Sequence, residues 1–177
     1  IRLDIYSPEY NQATDLTLQA MQQTLSWFEQ QIGAYPGDAL RLVIMPDIGP
    51  TGYALPQFVL INHRVGVRAF PAPNAGFSQI YRRAVHEVAH CVNKQFTENA
   101  PMKQLSEGRD SETYADLFAL THMAQSKQAD DMKRIVDSVI HIREGFSGFF
   151  AASHSTSGAI KKVYAELLSA VPAGRNL

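Results

Sequence analysis

Two histidines four residues apart, with a glutamate directly after the first, lie in a stretch from Ser78 to Phe96 that contains neither proline nor glycine. The five residues are His86-Glu87-Val88-Ala89-His90. With Tyr81, Ala84, Val85 and Val88 supplying apolar contacts, the stretch predicts a helix with Ser78 as its N-cap. Four-residue spacing on a helix puts both imidazoles on one face, a turn apart, where they can reach a single zinc ion. Glu87 then stands beside that ion as a base for water.

A tetrahedral zinc that does chemistry needs a third protein ligand and an open fourth position. The segment Asp110-Ser111-Glu112-Thr113-Tyr114-Ala115-Asp116-Leu117-Phe118-Ala119-Leu120 begins with residues that cap helices. Glu112, Ala115, Asp116, Ala119 and Met123 fall on one face of the helix it predicts. Two carboxylates one turn apart repel on a buried face, but beside a dication one can bind metal while the other accepts a proton from a ligand histidine. Glu112 is the expected ligand and Asp116 the expected partner of the histidine. Glu107, in Leu105-Ser106-Glu107-Gly108, is the alternative third ligand; Glu112 is preferred because it alone brings Asp116 on the same face.

These residues, together with His154-Ser155-Thr156-Ser157-Gly158, resemble the gluzincin metallopeptidases, the class typified by thermolysin. There a His-Glu-x-x-His helix is followed by a Glu-x-x-x-Asp helix and then by a His-x-x-Ser-Gly segment. The resemblance spans roughly residues 78 to 164. It implies one Zn2+, ligated by His86, His90 and Glu112, and a peptide or protein substrate. Glu87 would be the general base, and His154 would stabilise the oxyanion of the tetrahedral intermediate. The order helix, strand, turn, strand and metal helix is similar to the aminopeptidase N-like catalytic domain, as is the Glu107-Gly108 pair. That domain holds the substrate backbone on a strand edge just before the metal helix. Gly52, Tyr53 and Ala54 are the candidates for that edge, and Arg143 is a candidate for a substrate carbonyl or carboxylate. The segment Gly49 to Pro56 does not match the glycine-containing exopeptidase motif in its usual form, so amino-terminal trimming is not implied.

At 177 residues and 45% hydrophobic composition, the chain suits one domain, with a helix-plus-sheet portion over 1–77 and the metal-site helices and helical lobe over 78–177. Leu18, Met21, Leu25, Phe28 and Ile32 recur at helical spacing over about 11–32, with Gly33 ending that helix. Ala39 to Met45, Gln57 to Asn62 and Val65 to Phe70 read as short strands. Pro71 to Gly76 reads as a stiff connecting loop, and Gly145 to Phe150 as a turn or mobile loop with exposed aromatics. Further helices are expected over 130–144 and from Thr156 or Ser157 to about Ala170. The expected fold is therefore α+β and zincin-like, with a small, mostly antiparallel sheet followed by the metal helix and a helical C-terminal lobe.

A net charge of −1, with basic residues scattered, gives no footprint for nucleic acid. No apolar run is long enough for membrane insertion. The single cysteine, Cys91, points about 100° away from the ligand face and reads as buried filler. Trp27 reads as core; His63, His122 and His141 read as structural or surface residues. A chain beginning at Ile1 suggests processing and a periplasmic or secreted setting. Oligomeric state is open. Besides a zinc peptidase, the residues admit a zinc-binding but inactive interaction module of the same fold, and a structural domain without metal.

Overall fold

The computed structural model describes residues 1–8, 10–35, 37–45, 52–62, 73–97, 108–125, 132–146 and 151–170. The first half carries β1 (Arg2–Tyr6), α1 (Gln12–Gln31), β2 (Ala39–Met45), β3 (Gly52–Leu55) and β4 (Phe58–Asn62). The second half is helical, with α2 (Pro73–Thr97), α3 (Gly108–Gln125), α4 (Met132–Glu144), α5 (Ser157–Lys162) and α6 (Tyr164–Ser169). The architecture is α+β, with one four-stranded sheet in the order β1-β2-β4-β3.

The expectation of a mostly antiparallel sheet is corrected by the pairing. β1 runs parallel to β2, with Leu3 beside Leu40, and β2 runs parallel to β4, with Leu42 beside Val59. The antiparallel pair is β3 with β4, where Gly52 faces Ile61. Parallel neighbours need a crossover long enough to return the chain to the same end, and α1 provides it between β1 and β2. β1 escaped the sequence reading because it is short; its one signal is Leu3 and Ile5 alternating with Arg2, Asp4 and Tyr6. β3 and β4 are joined by Pro56 and Gln57, and Gln57 takes φ 63°, the positive value that a proline-led type II turn requires at its second residue. The proposed strand over Val65 to Phe70 lies outside the described residues.

α1 begins where expected, because Asn11 accepts a hydrogen bond from the Thr14 amide at 3.1 Å and so satisfies one orphan donor of the first turn. Gly33, at φ 139°, follows its last turn. The buried face differs in detail from the apolar stripe read from sequence: Thr14, Thr17 and Thr24 join Met21, Leu25 and Phe28 inside, while Ile32 is exposed. Threonine is tolerated there because the Thr17 and Thr24 hydroxyls donate back to the carbonyls of Ala13 and Ala20 at 2.8 and 2.6 Å.

α2 starts at Pro73, not after a cap at Ser78, so the expected loop over Pro71 to Gly76 is helical from Pro73 onward. Proline suits a first helical position, where its missing N–H would have had no partner and its fixed φ is already helical. This helix is the hub of the fold, touching α1, α3, β3 and β4. Tyr81, Ala84, Val85, Val88 and Val92 are fully or almost fully buried. One apolar cluster runs from Met21 and Leu42 through α2 to Leu120, Val136 and Ile160, so the sheet and the helical half share a core. No helix among the described residues is long and apolar enough to cross a membrane.

His122 sits within that core, 2% exposed. Tyr81 donates to Gln23 Oε1 at 3.0 Å, so the 2.8 Å contact between His122 Nε2 and the Tyr81 oxygen is donated by the histidine. Its Nδ1 is buried without a hydrogen-bond partner among the described residues, and the ring packs 4.9 Å from Trp27. Burial pushes its pKa down to about 4. Below an unfolded value near 6.5 the unfolded chain takes up a proton that the folded chain refuses, so this residue lowers stability as pH falls from about 6.5 to 4. The loss across that window is expected to be about 3 kcal/mol. Urea unfolding of the metal-free chain at pH 7 and 4.5 checks it. His122→Phe, which keeps the ring contact with Trp27, should lose markedly less stability on acidification than the wild type, and equal losses would refute the assignment.

Candidate metal centre

α2 turns different side chains towards its two neighbours. His86 and His90 point towards α3, while Glu87 and Cys91, one turn apart, point towards the β3–β4 hairpin. Cys91 is fully buried, with Sγ 3.3 Å from the carbonyl oxygens of both Leu55 and Phe58, which fixes that face against the turn. On the other face the two imidazoles meet edge to face, with ring centroids 4.7 Å apart.

The ligating atoms converge. His86 Nε2 and His90 Nε2 are 3.1 Å apart, His86 Nε2 is 3.4 Å from Glu112 Oε2, and His90 Nε2 is 3.3 Å from Glu112 Oε1. Bonds of about 2.0–2.1 Å to a tetrahedral zinc set its ligand atoms roughly 3.3 Å apart. All three separations fall near that spacing, the two nitrogen-to-oxygen ones reaching different oxygens of the Glu112 carboxylate. His90 Nδ1 is hydrogen-bonded to Ser111 Oγ at 2.9 Å, which fixes the ring with its Nε2 turned towards His86. With two buried imidazole nitrogens and a carboxylate facing one another, His86, His90 and Glu112 form a group that could hold a metal ion.

Behind this group sits Asp116, whose side chain is fully buried. Arg143 grips it with two hydrogen bonds, Nε to Oδ2 at 2.7 Å and Nη2 to Oδ1 at 2.8 Å. Thr156 Oγ1 donates to Oδ2 at 2.7 Å, and the buried Arg82 guanidinium lies 3.8 Å from Oδ1. His86 Nδ1 approaches Oδ1 to 3.0 Å, but obliquely, so this is a charge contact more than a straight hydrogen bond. The carboxylate thus orients His86 while itself held by three other side chains.

The electrostatics follow from that crowding. Burial alone would lower the His86 pKa, yet the carboxylates of Asp116 and Glu112 raise it to about 9. Burial opposes ionisation of Glu112, but His86 and His90 hold its carboxyl far below the usual carboxylate range. The same balance holds Asp116 down, with His86 and then Arg143 outweighing burial. Burial pulls the Arg82 pKa to about 10. In the metal-free chain a proton on His86 partly takes the place of a cation, and binding a metal must displace it.

The remaining candidates fall around this group. Glu87 is 6% exposed, close enough to His86 to act on its charge, and its carboxylate lies against Gly52 in β3. Among the described residues β3 is the last strand in the sheet order; Ala54 is buried on its inner side, and Tyr53 is 51% exposed. His154 Nε2 lies 3.6 Å from Glu112 Oε2 on the more open side of the group, with Nδ1 2.8 Å from Ser153 Oγ and its ring 4.7 Å from that of Phe146. Arg143, read as a substrate contact, commits its donors to Asp116 and, at 3.2 Å, to Glu112 Oε2. Glu107, Ser147 to Phe150 and His63 lie outside the described residues.

Three participants escaped the sequence reading. Ser111 and Thr156 were taken only as caps, and the Thr156 side chain makes no cap bond because its hydroxyl is spent on Asp116. Arg82 carried no signal beyond its place one turn before His86. Comparison with protein-family models, with curated proteins and with solved structures finds no match to this chain, so the chemistry of the site rests on its own geometry.

Proposed function

We propose that this chain is a zinc-dependent peptidase of the gluzincin type, hydrolysing peptide bonds with Glu87 as general base. The observation that carries the reading is the approach of His86 Nε2, His90 Nε2 and the Glu112 carboxylate to 3.1–3.4 Å of one another, with Glu87 directly following the first histidine. His86, His90 and Glu112 would hold the ion. Zinc supplies Lewis acidity there, polarising a carbonyl and making water more acidic.

The protein's own groups divide the remaining work. Asp116 and Ser111 keep the two imidazoles turned so that their Nε2 atoms face inward. Glu87 accepts the proton of the attacking water on its carboxylate and returns it to the leaving amine. His154, beside the outer oxygen of Glu112, donates a hydrogen bond to the carbonyl oxygen as it gains charge. Gly52, Tyr53 and Ala54 on β3 would contact the substrate backbone.

The deciding experiment combines metal titration with digestion. Chelator-stripped protein titrated with zinc should bind one ion per chain, and His86→Ala should weaken that binding by at least about tenfold. A peptide library should be cleaved by the zinc-loaded chain and not by the stripped one. Zinc uptake without cleavage selects the inactive binding module; no uptake removes the metal centre altogether.

A further inference from the structure

Gly52 and Ala54 alternate with the exposed Tyr53 and Leu55 along β3, so both turn towards α2. Ala54 is buried there, as an inward position should be, but Gly52 has no side chain to bury. The space it leaves is already taken. A Cβ built on Gly52 would overlap Glu87 Oε1 and lie 2.9 Å from Glu87 Cδ and 3.2 Å from Cγ. Gly52 is not among the residues with positive φ, so conformational freedom does not account for the glycine. Close approach of another group to the backbone does.

We infer that Gly52 is a positioning residue: the carboxylate of Glu87 is seated against the backbone of β3, in the volume that any other residue at position 52 would fill. The assignment of Glu87 as the base is the reading proposed above; the seat itself is geometry. Two neighbours support it. Ile61, the register partner of Gly52, fixes the height of the strand, and Arg83, one turn before Glu87 on α2, attracts its charge. The seat lies on the same short strand that is proposed to contact the substrate, so one element sets both the base and the bond it serves.

The overlap falls on the far end of a flexible side chain, so an added methyl group displaces Glu87 before it displaces either backbone. In Gly52→Ala the fold and the affinity for zinc should persist. The kcat for peptide cleavage should fall on the order of a hundredfold, the scale of a misplacement of about 1 Å, while KM changes less than about threefold. A raised KM with unchanged kcat would mark Gly52 as a simple substrate contact and overturn the inference. The readout free of activity is a pair of crystal structures, wild type and Gly52→Ala. The Glu87 carboxylate should move by roughly 1 Å or more in the variant. A carboxylate in the same place in both would overturn the inference even if the protein cleaves nothing, whereas a displaced carboxylate in a protein that cleaves nothing would leave the seat standing and remove the peptidase reading.

Discussion

Glutamine in place of Glu87 is expected to leave the fold and the zinc affinity of this protein intact and to reduce peptide hydrolysis by roughly a hundred- to ten-thousandfold. Glutamine matches the size of the side chain it replaces, so the volume beside Gly52 stays filled and no cavity opens. What disappears is the ability to take a proton from water. His86, His90 and Glu112 keep their mutual separations, so the proposed metal ligands are untouched. The check is a parallel measurement of zinc stoichiometry, melting temperature and kcat on wild type and Glu87→Gln. Cleavage within tenfold of wild type would exclude Glu87 as the base; loss of zinc would show that it serves the metal instead.

Removing the carboxylate of Asp116 is expected to be the most damaging single change to stability. Alanine there removes both short hydrogen bonds of Arg143 to Asp116, the carboxylate 3.8 Å from the Arg82 guanidinium, and the acceptor of the Thr156 hydroxyl, all in a place shielded from water. Breaking a buried charge pair from one side typically costs about 3–5 kcal/mol, because the surviving charge stays buried. His86 loses its orienting partner at the same time, and zinc affinity should fall about 10- to 100-fold. Asp116→Asn separates the two effects, since it keeps the shape and one acceptor but not the charge. Chemical unfolding with and without zinc reads both quantities. An alanine variant within 1 kcal/mol of wild type would mean that Arg82 and Arg143 find solvent, and the interior described here would be wrong.

The parts of this molecule legible in its sequence are those set by local spacing. The four-residue interval of His86 and His90, and that of Glu112 and Asp116, needed only helical geometry, and β2 and β4 announced themselves as β-branched and aliphatic runs. The parallel pairing was not legible, since which strand lies beside which depends on contacts far apart in the chain. The start of α2 was misread because Pro73 was taken as a breaker where it serves as an opener. The clamp on Asp116 joins residues 27 and 40 positions apart, beyond the reach of any periodicity. One clue was available. Arg143 continues the inward stripe of Met132, Val136 and Val139 on α4, and a guanidinium on an apolar face calls for a buried anion.

That clamp bears on how the protein comes into being. During synthesis the two imidazoles emerge first, Glu112 follows 22 residues after His90 (112 − 90), and the threonine that holds Asp116 in place follows 40 residues after that aspartate. A growing chain therefore displays two histidines on a helix long before it has a cage. On the proposed reading, firm capture of an ion waits until about Thr156 has left the ribosome, so the candidate centre is completed by residues made well after its histidines.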